Sequence, residues 1–277
     1  MNPELYTKRC GVIVAGVIQP GRRNKLLLFC WIACVSMVSA QRGGERVFEF
    51  VNLHTSARST ALGGSQIAAW TDDFGLAGGN PAMLQQSMNN SFSFQHNFHF
   101  ASVDNGYFGY ARHMPSLNAT VQGGLHYVAY GEFTAADEMG NVSGTFKANE
   151  LAIQAGISKV FNERISAGIL LQYVQSTLET YQSNGFVVDA GMSYQSEDAL
   201  NHYALVVRGS GVQLSKYYPD DERGRMPVDV QIGYSKRLQY VPFRLSILMH
   251  DLNRWDLRYE GPLDENTGTG FGEEPRE

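Results

Sequence analysis

The chain has no cysteine beyond Cys34; its three cysteines, Cys10, Cys30 and Cys34, all precede residue 41. Residues 41–277 therefore offer no disulfide, no thiolate nucleophile and no sulfur metal ligand. Charge is scarce too, at 18% of 277 residues, against roughly 25% in soluble domains. After Val38 no apolar run approaches the ~20 residues of a membrane helix. That argues against a helical membrane protein, but not against one that crosses with strands, whose lumen-facing half is polar. Residues 1–40 hold five Lys/Arg and one Asp/Glu, so residues 41–277 keep 17 basic against 26 acidic residues, a formal net charge of -9. That balance excludes a basic nucleic-acid interface.

Catalytic signatures are missing as well. There is no S-x-x-K, G-x-S-x-G, H-E-x-x-H or phosphate-binding loop. The Gly268-x-Gly270-x-Gly272 run lies in an acidic tail with no strand before it, so it reads as linker and not as a dinucleotide site. His96 and His99 stand three apart on one expected strand and point to opposite faces, which is wrong for shared ligation. Asp72-Asp73 and Asp220-Asp221-Glu222 lack calcium-loop spacing and read as solvated turns. The expectation is no catalytic residue, no cofactor and no metal.

What is present is β-forming: 15 Phe, 14 Tyr and 29 Gly beside 9 Pro and 3 Trp. Arg22, Arg23 and Lys25 precede the apolar stretch Leu26–Val38, and Val38-Ser39-Ala40 supplies small residues for a signal-peptidase cut between Ala40 and Gln41. Residues 1–40 are thus read as leader and signal peptide, with 1–21 upstream of the usual start. Residues 41–90 are small, polar and rich in turn formers, and read as a plug-like segment in which Pro81 starts a helical turn after Asn80.

From Ser91 the pattern is period two. Leu151, Ile153, Ala155 and Ile157 alternate with Ala152, Gln154, Gly156 and Ser158; Phe186, Val188, Ala190, Met192 and Tyr194 flank Asp189, Gly191 and Ser193. Nine strands are expected, near 91–101, 104–113, 117–130, 148–160, 164–178, 185–195, 201–210, 227–238 and 242–252. Most reach the ~9–11 residues that cross a bilayer on a tilt. Long connections at 131–147, 211–226 and after 252 alternate with short ones, the asymmetry of outer-membrane barrels. The fold class is therefore all-β, an antiparallel transmembrane barrel over 91–252, in preference to a β-sandwich. Nine strands cannot close an even-numbered barrel, so residues 253–277 are expected to be an external loop at which the chain stops, with C-terminal strands missing.

Ser56-Ala57-Arg58, Ala61-Leu62-Gly63-Gly64, Asp72-Asp73 and Asn80-Pro81-Ala82-x-Leu84 resemble the start of the PorV/PorQ family of outer-membrane proteins, relatives of the FadL long-chain fatty-acid transporters. Gly106–His113 (GYFGYARH), Tyr130–Phe146 (YGEFTAADEMGNVSGTF) and His250–Glu260 (HDLNRWDLRYE) narrow the resemblance to its type IX secretion branch. The resemblance implies a FadL-like barrel of fourteen strands with the N-terminal segment folded into the lumen as a hatch. It implies a place in the surface attachment complex, beside PorV and the PorU sortase, holding the partner PorZ at the outer membrane while secreted cargo is processed. The rival readings are a FadL-like importer of hydrophobic molecules and a PorV-like cargo shuttle. The expected partner surface is the loop carrying Phe133, Asp137, Glu138, Asn141 and Phe146.

Overall fold

Alternating side chains in residues 91–249 build nine strands: β1 Ser91–Phe98, β2 Asp104–Met114, β3 Ala119–Ala136, β4 Val142–Asn162, β5 Ile165–Leu178, β6 Tyr181–Gln195, β7 Asn201–Ser215, β8 Asp229–Arg237 and β9 Arg244–Met249. The structure, a computed structural model, describes residues 46–254 other than 219 and 221. The expected signal peptide and its Ala40/Gln41 cut, the cysteines, Asp221 and residues 255–277 lie outside the described residues. All nine strands belong to one sheet in the order β1 to β9. Each is antiparallel to the next. This is a single meander and not the two stacked sheets of a sandwich.

The two faces of the sheet have opposite chemistry. On β5, Ser166, Gly168, Leu170, Gln172, Val174 and Ser176 are buried, while Ile169, Leu171 and Tyr173 are exposed. On β6, Val187, Asp189 and Ser193 are buried, while Phe186, Val188, Met192 and Tyr194 are exposed. The same inversion runs through β7 and β8, where Leu205 and Ile232 are exposed and Arg208, Gln231 and Ser235 are buried.

Residues 46–90 cover the polar face. They form short helical turns at Glu49–Asn52, Pro81–Met83 and Gln86–Met88 and two short helices, α1 (Ala57–Ala61) and α2 (Phe74–Ala77). Each start has a local cause. The Ser56 side chain accepts from Ser59 N, that of Asp73 from Gly75 N, and that of Asn80 from Ala82 N, the usual role of these residue types at helix starts. Pro81 takes the first position, where its missing N–H costs nothing. After α1 the chain reverses through Gly63 (φ 89°) and Gly64 (φ 112°), a backbone that only glycine adopts without strain.

Four connections differ from the sequence expectation; one is 211–226, whose first residues continue β7 as far as Ser215. The 131–147 loop is a continuation of β3 and β4, turning only over residues 137–141. Glu132 stands opposite Lys147, Phe133 opposite Phe146 and Thr134 opposite Thr145; these cross-strand pairs outweigh the local turn signals of Gly131 and Gly144. β5 and β6 likewise run to Leu178 and from Tyr181, leaving a two-residue turn with Glu179 at φ 56°. His99 is not on β1, which ends at Phe98 before the helical turn Phe100–Ser102.

Candidate functional site

The most constrained contact on the covered face is the seat of Asn80-Pro81-Ala82. Asn80 is fully buried. Its Nδ2 donates to Ile67 O at 2.8 Å and to Ser193 Oγ at 2.9 Å, and its Oδ1 accepts from Ala82 N at 2.9 Å. Ser166 Oγ of β5 donates to Ala82 O at 2.7 Å. Glycines on the strands make room for this segment. A Cβ on Gly191 would lie 2.1 Å from Asn80 Oδ1, and one on Gly168 2.5 Å from Pro81 C. A second seat receives Ile67-Ala68, where Gly233 leaves space for Ile67 and Ser235 Oγ donates to Ala68 O at 2.7 Å.

A polar chain crosses the same face above the seat. Gln154 Nε2 donates to Gln172 Oε1 at 2.8 Å, and Gln172 Nε2 to Asp189 Oδ2 at 3.0 Å. The other Asp189 oxygen accepts from Gly209 N at 2.7 Å. Gly209 (φ 65°) belongs to a bulge where pairing jumps from Val188–Ser210 to Ala190–Val207. Arg208, in the same bulge, approaches Asp189 at 4.0 Å and donates from its NH2 group to Val51 O at 3.1 Å. A buried carboxylate is tolerable because amide, backbone and guanidinium donors surround it.

Beside Arg208 lies a cavity of about 310 Å³, lined by Arg46, Asn52, His54, Asp229 and Leu248 among others. His54 has its pKa lowered by burial and by the neighbouring Arg208 charge. Asp229, His250 and Asp251 bring three candidate ligand atoms together at the rim. Asp251, however, faces His250 at 2.9 Å, Arg254 at 3.5 Å and Arg46 at 4.0 Å. Two guanidinium groups at that carboxylate compete with any metal ion.

The second feature is the β3–β4 hairpin. Pairing of β2 with β3 ends at Ala129, and pairing of β5 with β4 ends at Ala148. Residues beyond those points project as a two-stranded arm. Phe133 stacks on Phe146 with ring centroids 5.2 Å apart. Asp137 organises the tip: Oδ1 accepts from Met139 N at 3.0 Å and Asn141 N at 2.8 Å, and Oδ2 from Asn141 Nδ2 at 2.9 Å. The Asn141 side chain is the main reason the Asp137 carboxyl sits below its usual range. Glu138 is exposed, and Met139 at the tip is 90% exposed.

The residues marked by family resemblance thus fall into separate places. Asn80, Pro81, Ala82 and Leu84 are buried. Ala57, Leu62 and Asp72 are exposed, Gly63 and Gly64 shape the turn after α1, and Arg58 pairs with Asp73 at 3.2 Å, tying α1 to the start of α2. Phe133, Asp137, Asn141 and Phe146 come together on the hairpin, with Glu138 beside them. His96 bonds to Tyr127 OH at 2.7 Å. Sequence reasoning singled out neither Arg208 nor the receiving glycines Gly168 and Gly191; the available signal was a charged or minimal residue at an inward-facing strand position. No protein-family model matches the sequence, and no curated protein matches it either.

Proposed function

We propose that this chain is an outer-membrane β-barrel component of type IX secretion that holds a partner protein at the cell surface and performs no chemistry itself. The observation that carries the membrane part is the inverted sheet: Ile153, Leu171, Met192, Leu205 and Ile232 exposed on one face, Gln172, Asp189 and Arg208 buried on the other. Soluble proteins rarely expose so continuous an apolar surface, whereas lipid requires it. The covered face then faces the lumen, with residues 46–90 as its hatch.

The hatch favours an anchor over an importer of hydrophobic molecules. It is fixed through Asn80, Ser166 and Ser193, and the cavity beside it is lined mainly by charged and polar groups, with Leu248 the large apolar one. Such a lining suits apolar cargo poorly. The family resemblance supplies the partner, PorZ, and the β3–β4 hairpin is the surface assigned to it, because Phe133, Phe146 and Met139 are displayed there on a rigid base.

Replacing Phe133, Met139 and Phe146 together by Ser tests this. The expected result is PorZ released into the medium while the variant stays in the outer-membrane fraction. Normal PorZ retention with the variant in the membrane overturns the assignment of the hairpin. Binding of cargo precursors in place of PorZ converts the anchor into a shuttle.

A further inference from the structure

Opposite charges that face each other across two strands attract and stabilise the pair. Arg208 and Asp229 are direct partners across β7 and β8, yet no ion pair joins them. Each is held in a different direction. Arg208 donates from its NH2 group to Val51 O of the hatch at 3.1 Å. Asp229 is fixed on the wall, where Oδ1 accepts from Asp251 N at 2.6 Å and Oδ2 from Gln231 Nε2 at 2.6 Å. Both side chains line the cavity of about 310 Å³.

The guanidinium is short of acceptors. It carries five N–H donors on a residue only 5% exposed, and its Nε has no hydrogen-bond partner. Asp189, 4.0 Å from that nitrogen, offsets the charge without accepting from it. The Asp189 oxygens are already occupied by Gln172 Nε2 and Gly209 N. A buried donor without a partner is costly, and a ligand oxygen on this guanidinium removes that cost.

The Asp229 carboxylate is short of a cation. It accepts only from neutral N–H groups, and among the described residues no Arg, Lys or His lies within ion-pair distance of it. The other charges around the cavity are engaged with one another. Arg46 pairs with Glu49 at 3.2 Å and faces Asp251 at 4.0 Å, and Asp251 also meets His250 and Arg254. His54 adds no further cation at neutral pH, because burial and the Arg208 charge lower its pKa.

A donor group without acceptors and a carboxylate without a cation thus border one space. A plain anion at Arg208 would meet the charges of Asp189 and Asp229 without relief, and a plain cation at Asp229 would meet those of Arg208 and Arg46. A molecule carrying both signs satisfies both sides. At about 310 Å³ the cavity lies at the low end of small-molecule pockets, with the volume of about ten waters. That suits an amino acid and part of its hydration.

We infer that this cavity, at the junction of hatch and wall, binds a short amino-acid zwitterion, with its carboxylate on the Arg208 guanidinium and its ammonium group on Asp229. The site goes beyond the anchoring role and stands whether or not the hairpin holds a partner.

The test uses the full chain extracted from cells in mild detergent and titrated by calorimetry. Glycine, β-alanine and γ-aminobutyrate place the two charges progressively further apart. Butyrate supplies the carboxylate alone, butylamine the ammonium group alone, and glucose a neutral polar ligand. At least one of the three amino acids is expected to bind about tenfold or more tightly than butyrate and butylamine, the factor that one hydrogen bond to a charged group supplies. Asp229→Asn keeps the side-chain shape and an acceptor for Asp251 N. It should weaken the amino acid by about tenfold or more while leaving butyrate bound at least as well. Failure of all three amino acids to bind, butyrate or butylamine binding as tightly as they do, glucose bound in preference, or an amino-acid affinity unchanged by Asp229→Asn each overturns the inference. None of these outcomes touches the anchor reading, which PorZ release tests separately.

Discussion

On β5 the neighbours Leu171 and Gln172 differ by one position in sequence and by everything in environment. Leu171 is exposed on the apolar face, and Gln172 is buried between Gln154 and Asp189. In a soluble sheet these roles would be exchanged, because the side chain removed from water is the one whose burial is favourable. The comparison extends over β4 to β8. It teaches that the covered face mixes polar side chains held by named hydrogen bonds with apolar clusters such as Phe48, Phe50, Val174 and Val187, while the open face is almost wholly apolar, as the membrane reading proposed above requires.

The sharpest way to break that comparison is a charge on the open face. Leu171→Arg lies opposite Ala155 and Val188 on the neighbouring strands. At the middle of a bilayer such a residue costs about 2–4 kcal/mol, whereas an exposed surface change in a soluble protein stays within about ±0.5 kcal/mol. Denaturant titration of the variant in lipid discs reads the difference. A shift under half a kcal/mol would return this face to water.

Next comes the hatch seat. Asn80→Ala removes three hydrogen bonds at a fully buried position and leaves Ile67 O and Ala82 N without that partner. The expected cost is about 2–3 kcal/mol, seen in denaturant titration and as faster amide exchange of Ala82. Gly191→Ala acts on the wall side of the same contact. Its Cβ would meet Asn80 Oδ1 at 2.1 Å, and overpacking of this kind costs about 1–2 kcal/mol. Both variants should lift Pro81–Met83 from the sheet while leaving strand content unchanged by circular dichroism. Loss of strands with the hatch would mean that the two regions fold as one unit.

Much of this was legible in the sequence, for a physical reason. Period-two alternation states which residues share a face, so the sequence itself separates Phe186, Val188 and Met192 from Asp189, Gly191 and Ser193. Asn80 followed by Pro81 announces a helical start by the same local logic. The hairpin was hidden because Gly131, Asp137 and Gly140 are turn formers by composition, and only the register Phe133–Phe146 and Thr134–Thr145 turns them into strand. The seat was hidden because a glycine on a strand carries no mark of what approaches it. Gly168 and Gly191 acquire meaning from Pro81 and Asn80, which lie far away in sequence. Arg208 is in phase with the inward His202, Ala204 and Val206, so alternation alone could have placed it inside; what the sequence hid was the bulge at Gly209, which turns that backbone N–H toward Asp189.

The smallest expected effect separates the exposed tip from the buried network. Asp137 has its carboxyl lowered by the Asn141 side chain and by backbone N–H groups that only the folded turn presents. A lowered folded value means that the stabilisation is fully present above the unfolded value of about 3.9 and is lost as the pH falls through the lower folded one. The tip should therefore keep its shape at neutral pH and loosen only in acid. Amide exchange at Met139 and Asn141, compared with their intrinsic rates at each pH, is the measurement. Protection that disappears below that range, and that Asp137→Asn already weakens at pH 7, sustains the carboxylate as organiser of the turn. Protection unchanged by acid would assign the turn's order to the Phe133–Phe146 stack instead, and the hairpin would then present a surface indifferent to pH.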